Sequence, residues 1–228
     1  MFKIKIDGLD KVERALDDMG KQVAFATSVA LNRTAVAARD AGRDEMRHVF
    51  DRPTPFVLRG LGAQMSTKRD LRARIGYGLQ SKQVKDGASA VLPNVDGGSR
   101  GSKSAEKKLR ALGVLAADEY IEPSRNAKLN QYGNVSKTWM NKMLADLGSH
   151  GNTGKKAQFF VGKFGKHQQK MIARRVSRTH FIPFMIITKA PHYKKRFDFQ
   201  GVVDQVVSRD FHANFSLAYQ QALKTAKR

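Results

Sequence analysis

Leu31-Asn32-Arg33-Thr34-Ala35-Val36-Ala37-Ala38-Arg39-Asp40-Ala41-Gly42-Arg43-Asp44-Glu45-Met46-Arg47-His48-Val49 sets Leu31, Ala35, Ala38, Gly42, Met46 and Val49 along one stripe of a helix, because residues three and four apart share a helix face. The small side chains in that stripe let the helix lie close on a sheet. The pattern reaches back to Lys21 and stops at Asp51-Arg52-Pro53-Thr54-Pro55, where proline cannot continue the hydrogen-bond ladder. Upstream, residues 2–6 alternate as a short strand and Asp7 stands as an N-cap. Leu9, Val12, Leu16 and Met19 then recur at helical spacing until Gly20, which ends or kinks that helix. This first helix is acidic, with Asp10, Glu13, Asp17 and Asp18.

Beyond the prolines the period changes to two. Residues 61–67, a polar turn near Lys68-Arg69-Asp70, and Leu71-Arg72-Ala73-Arg74-Ile75-Gly76-Tyr77 in strict alternation predict a hairpin. Three more strands are expected at 158–164, 171–176 and 181–188, extending the same antiparallel sheet, with Pro183 suited to a strand start or an edge. Between the two groups lie a Gly/Ser-rich loop at 94–104, a short helix near 105–112, a loop holding Pro123, a helix over 136–147 and the Gly-rich 148–154. Val203, Val207, Phe211, Phe215 and Ala218 predict a last helix. The expectation is an α+β fold: a long N-terminal helix packed on an antiparallel sheet, with a loop-rich helical insertion and a C-terminal helix. Residues 1–79 form the helix-hairpin part of the core, 80–156 an insertion or arm with mobile Gly-rich loops, and 157–228 the remaining strands and helix of the same core.

Charge dominates the composition. The 228 residues carry 42 Lys and Arg against 20 Asp and Glu, a formal net charge of +22. Between Leu147 and Phe197 there is no acidic residue, yet twelve basic ones: Lys155, Lys156, Lys163, Lys166, Lys170, Arg174, Arg175, Arg178, Lys189, Lys194, Lys195 and Arg196. Two readings stand, a solvated basic face and a surface screened by a polyanion or an acidic partner. No cysteine is present, which excludes disulfides, thiolate nucleophiles and sulfur-based zinc sites. The first residues lack a signal-peptide core, and the longest apolar run, 181–187, is too short to cross a bilayer. A soluble protein with no membrane partner is expected.

Catalytic patterns are poor. His48, His150, His167, His180, His192 and His212 show no metal-ligand spacing, so neither a metal nor a cofactor is expected. Gly151-Asn152-Thr153-Gly154-Lys155-Lys156 lacks the glycine spacing and the hydroxyl of a phosphate loop. Ser104-Ala105-Glu106-Lys107 matches an acyl-transfer motif, but Ser104 reads better as a helix N-cap. A metal-independent nuclease using His180 or His192 beside a cation is the remaining enzymatic reading. For nucleic acid, Arg174, Arg175, Arg178, Lys194, Lys195 and Arg196 are the candidate contacts. Their binding would be nonspecific, since no base-reading motif accompanies them. Phe159, Phe160, Phe164, Phe181 and Phe184 read as packing residues, whereas Tyr193, in His192-Tyr193-Lys194-Lys195-Arg196, is placed to stand exposed beside three cations.

Pro93-Asn94-Val95-Asp96-Gly97-Gly98-Ser99-Arg100, the Lys/Glu-rich helix after it, Pro123 and Tyr132-Gly133-Asn134-Val135-Ser136 together resemble phage minor tail proteins of the protein Z, or tail completion, type. Phe159-Phe160-Val161 and residues 193–199 are similar to that family's last strands, and the opening Ile4-Lys5-Ile6-Asp7-Gly8-Leu9 with its long helix resembles the wider set of phage tail components. The resemblance implies a non-enzymatic virion protein that completes the head-proximal end of the tail, at the neck where head and tail join. Its partners would be other tail and neck proteins and further copies of itself in a ring, with nonspecific contact to phage DNA. Its location would be the virion, and the host cytoplasm during assembly. The motif loop residues are Gly97, Gly98, Arg100, Tyr132, Gly133 and Asn134. The alternative is a basic nucleic-acid-binding module working outside a virion.

Overall fold

A computed structural model describes residues 9–79, 85–150 and 157–226. The strand expected at residues 2–6, the Asp7 cap, and Lys155 and Lys156 with the loop around them lie outside the described residues. The fold is α+β, with a long N-terminal helix, antiparallel sheets and a C-terminal helix. The chain divides into two compact units, one of residues 1–50, 55–88 and 197–228 and the other of 51–54 and 89–196.

In the first unit, α1 (Leu9–Val49) runs through Gly20 without a break. The expected stop there is overturned because one glycine costs a helix only about 1 kcal/mol, and no proline or capping residue follows it. The principal neighbour of α1 is α6 (Phe199–Ala226). Of the expected stripe Ala35, Ala38, Gly42 and Met46 are buried and Leu31 and Val49 half-buried, while Ala26, Ala30 and Thr34 carry the buried row further back along the helix. Leu31 and Ala35 also line an apolar groove of about 220 Å³ with Ile75, Val203 and Phe211. On α6 the buried residues are Val206, Ala218 and Ala222, while Val207 is exposed.

The hairpin forms as expected but shorter, β1 (Leu61–Gln64) pairing antiparallel with β2 (Arg74–Tyr77). It follows α2 (Pro55–Gly60). Polar side chains of α1 hold this region. Asn32 accepts from the Ser66 N–H at 2.7 Å and donates to the Ser66 carbonyl at 3.1 Å. Arg43 donates to the carbonyls of Leu58 at 3.1 Å and Leu61 at 2.7 Å. Burial works against the Arg43 charge and lowers its pKa, so these two carbonyls are part of what holds the cation in place.

The second unit has its own core. A four-stranded antiparallel sheet runs in the order β4 (Glu119–Pro123), β7 (Phe181–Lys189), β6 (Gln169–Arg175), β5 (Phe159–Phe164). Helices α4 (Ser104–Ala111) and α5 (Lys137–His150) supply Leu109, Met143 and Leu147 to the same cluster as Ile121, Phe159, Ile172, Phe184 and Ile187. The strands after 157 therefore do not extend the hairpin sheet. They pair through β7 with β4, a strand inside the expected insertion, so the three-part division at 79 and 156 is corrected. Helix α5 also continues through Gly148, where a loop was expected.

Pro183 lies in an interior strand, contrary to expectation. Met185 faces Ile172 while Pro183 faces Ala173, so Phe184 is the extra residue of a β-bulge. A bulge breaks the ladder locally and so accepts a residue with no N–H. On the other side the Pro183 carbonyl accepts from Ser124 Oγ at 2.5 Å.

Candidate nucleic-acid interface

The alternation of β6 sends Arg174 and Arg175 to opposite faces of the sheet. Arg174 is the register partner of Phe159 and so faces the helices, where its guanidinium lies 4.7 Å from the centre of the Trp139 ring on α5. Arg175 lies 5.0 Å from the Phe160 ring on the other face. That face carries a second aromatic group, Phe160, Phe164 and Phe181, with centroids 4.9 to 6.0 Å apart. The Nε atoms of both arginines are buried with no hydrogen-bond acceptor.

The other four candidates stand apart from this pair. Arg178 is exposed in the β6–β7 turn, which is closed by the His180 carbonyl accepting from the N–H groups of Val176 and Ser177. Lys194 and Lys195 are exposed beyond β8 (His192–Tyr193), a two-residue strand paired with β3 (Gly98–Ser99). Arg196 is tied back, its N–H to the Asn94 carbonyl at 2.8 Å and its guanidinium to the Asn94 amide oxygen at 2.9 Å. Tyr193 is half-buried and pairs with Gly98 in the β3–β8 ladder, so it is held by the fold rather than displayed beside the cations.

The motif residues shape the loops that they occupy. The stretch expected as a loop at 94–104 begins as the end of helix α3 (Lys85–Asp96) and continues as β3. Gly97 and Gly98 have φ of 81° and 90°, a region that side chains with a Cβ rarely adopt. Arg100 and Glu106 are 7% and 0% exposed and form a two-pronged ion pair at 2.7 and 2.8 Å. Glu106 also accepts from the backbone N–H of Lys103 at 2.7 Å and of Ile121 at 3.2 Å. Burial opposes the charge on Glu106, but the Arg100 fork and these two N–H groups outweigh it and hold the carboxyl below the usual carboxylate range. Glu106 in turn holds Arg100 above its ordinary value. Lys103, not Ser104, is the N-cap residue of α4, and the reach of Glu106 back to its N–H is half of a capping box.

At the second motif, Asn130 organises the turn. Its side-chain oxygen accepts from Tyr132 N–H at 2.9 Å and Asn134 N–H at 3.1 Å, and Gly133 takes φ of 73°. The Arg52 guanidinium would lie 3.4 Å from any Cβ at Gly133.

Charge is unevenly divided. The second unit holds 22 of the 42 basic residues and 7 of the 20 acidic ones, a net +15 of the chain's +22. Five of those acids already have partners: Asp51 with Arg52, Glu106 with Arg100, Asp118 with Lys189, Glu119 with Lys170, and Asp146 with the Phe159 N–H. Sequence reasoning missed Trp139 and Lys142; Lys142 and Arg174 each lie over the Trp139 ring. The only signal was the spacing of three between Trp139 and Lys142 on a helix. Among the described residues no cluster of three or more His, Asp or Glu side chains is arranged to hold a metal, and no helix is long and apolar enough to cross a membrane. His180 and His192 are both exposed. Compared with protein-family models, curated proteins and solved structures, the chain matches none.

Proposed function

We propose that this chain is a structural and assembly protein of a tailed phage virion, completing the head-proximal end of the tail in several copies and meeting the phage genome through its second unit. The observation that carries this reading is the net +15 on one unit whose carboxylates are mostly engaged internally. Such a surface repels itself and is favoured where a polyanion screens it. The resemblance to tail completion proteins supports the same reading. It rests partly on Gly97, Gly98, Arg100 and Gly133, residues that each set local backbone or a buried pair.

The test removes the gene from the phage or prophage that carries it and views the lysate by electron microscopy. Filled heads and finished tails that fail to join, restored by the gene in trans, are the expected result. Normal joined particles would overturn the proposal. A second reading, a basic nucleic-acid-binding module outside the virion, is favoured by Lys194 and Lys195 standing exposed. Purified virions free of this protein would move the conclusion to it.

A further inference from the structure

We infer that the second unit carries a phosphate-binding pocket, walled by Trp139 and Arg174 and edged by Lys128, that takes one phosphodiester of a nucleic-acid backbone. The inference goes beyond the virion role and holds without it. Arg174 stacks on Trp139 at 4.7 Å and Lys142 Nζ lies 5.3 Å from the same ring, so two cations converge on one indole. Arg174, Trp139, Lys128 and Asn126 line a single pocket of about 100 Å³ together with Ile182 and Phe184. A single water needs about 10–15 Å³ of such space, so the pocket has room for a phosphate group.

The donors suit such a guest. A guanidinium presents a planar fork that matches phosphate oxygens, and lysines add point charge. Arg174 Nε is buried with no acceptor, a donor that the fold leaves without a partner. Among the described residues none of Arg174, Lys128 and Lys142 is paired with a carboxylate. The nearest acid along α5, Asp146, accepts from the Phe159 N–H at 2.6 Å. The ring of Phe159 packs edge-on against Trp139 at 6.4 Å, so the indole is supported from the core and its cations are held on a fixed platform. A net +15 on the surrounding unit favours a guest that brings charge in a continuous line, as a nucleic-acid backbone does.

Trp139 is the sole tryptophan, so its emission reports on this pocket alone. The experiment titrates the full chain at low salt with a short DNA duplex, following both duplex anisotropy and tryptophan emission, with inorganic phosphate and a poly-glutamate peptide as separate arms. A saturable emission change with duplex, reversed by excess phosphate, is expected. Lys128→Ala and Arg174→Lys should each weaken the affinity read by emission about tenfold, the loss of one charged hydrogen bond. Lys128 is exposed, so the first variant tests the pocket even if the second disturbs folding. The proposal is overturned if duplex does not bind, if it binds with no change in emission, if both variants bind as tightly as the parent, or if poly-glutamate produces the same emission change.

Discussion

Glu106 is a carboxylate with no exposure, held charged by one arginine and two backbone N–H groups. Removing one partner of such a pair leaves the other charge buried alone, which costs about 3–5 kcal/mol. Glu106→Gln is therefore expected to destabilise the second unit by that amount in urea unfolding at neutral pH. The pH dependence has a definite sign. Because the folded pKa lies below the usual 4.5, Glu106 contributes stability that is fully present above that value and is lost as pH falls through the depressed folded value. Unfolding midpoints measured downward from pH 6 should fall in the parent chain and fall less in Glu106→Gln. A smaller effect is expected at Asn32. Asn32→Ala strands the Ser66 N–H and carbonyl that it satisfies, and a loss of about 1–3 kcal/mol should appear in thermal unfolding followed by circular dichroism.

Among the elements, α1 depends on how little its buried row projects. A Cβ at Gly42 would come within 2.9 Å of Leu61 Cδ2 and 3.6 Å of the Phe199 ring. Leu61 is buried, so its side chain has little room to give. Gly42→Val should cost about 1–3 kcal/mol by overpacking, even though valine has the better helix propensity. Gly42→Ala sets a propensity gain of about 1 kcal/mol against a smaller steric push, and is expected to fall between the two. Chemical denaturation of the three proteins side by side gives the ranking.

For the whole molecule, the separation of charge between units predicts how affinity responds to salt. If about five cations of the second unit meet phosphates, log affinity for duplex DNA should fall with log salt at a slope of roughly −4 to −5, nearly independent of sequence. Lys194 and Lys195 are the better pair to remove, since Arg196 is tied to Asn94. Lys194→Ala with Lys195→Ala should flatten the slope by up to about two units. A binding series on two unrelated duplexes measures both. An unchanged slope would mean that these lysines face a protein and not DNA.

The sequence by itself determined the elements with a strong local period. The long helix, the hairpin at 61–77, the strands near 159, 171 and 181, and the last helix were all legible, because side-chain alternation and helical stripes are written within a few turns of chain. The excess of positive charge and the absence of cysteine chemistry were legible for the same reason, as plain counts. Only the tertiary structure decided which strands share a sheet. Strand β4 is five residues holding two glutamates and a proline, too short and too polar to announce itself. Yet its pairing with β7 moves the later strands away from the hairpin and turns an expected insertion into a core. Pairing partners are chosen by burial over long sequence separation, and no local pattern encodes them. The candidate contacts follow that division. That Arg174 and Arg175 are cationic was plain, but their placement, one over Trp139 and one over Phe160, required the register of β5 on β6 and the docking of α5.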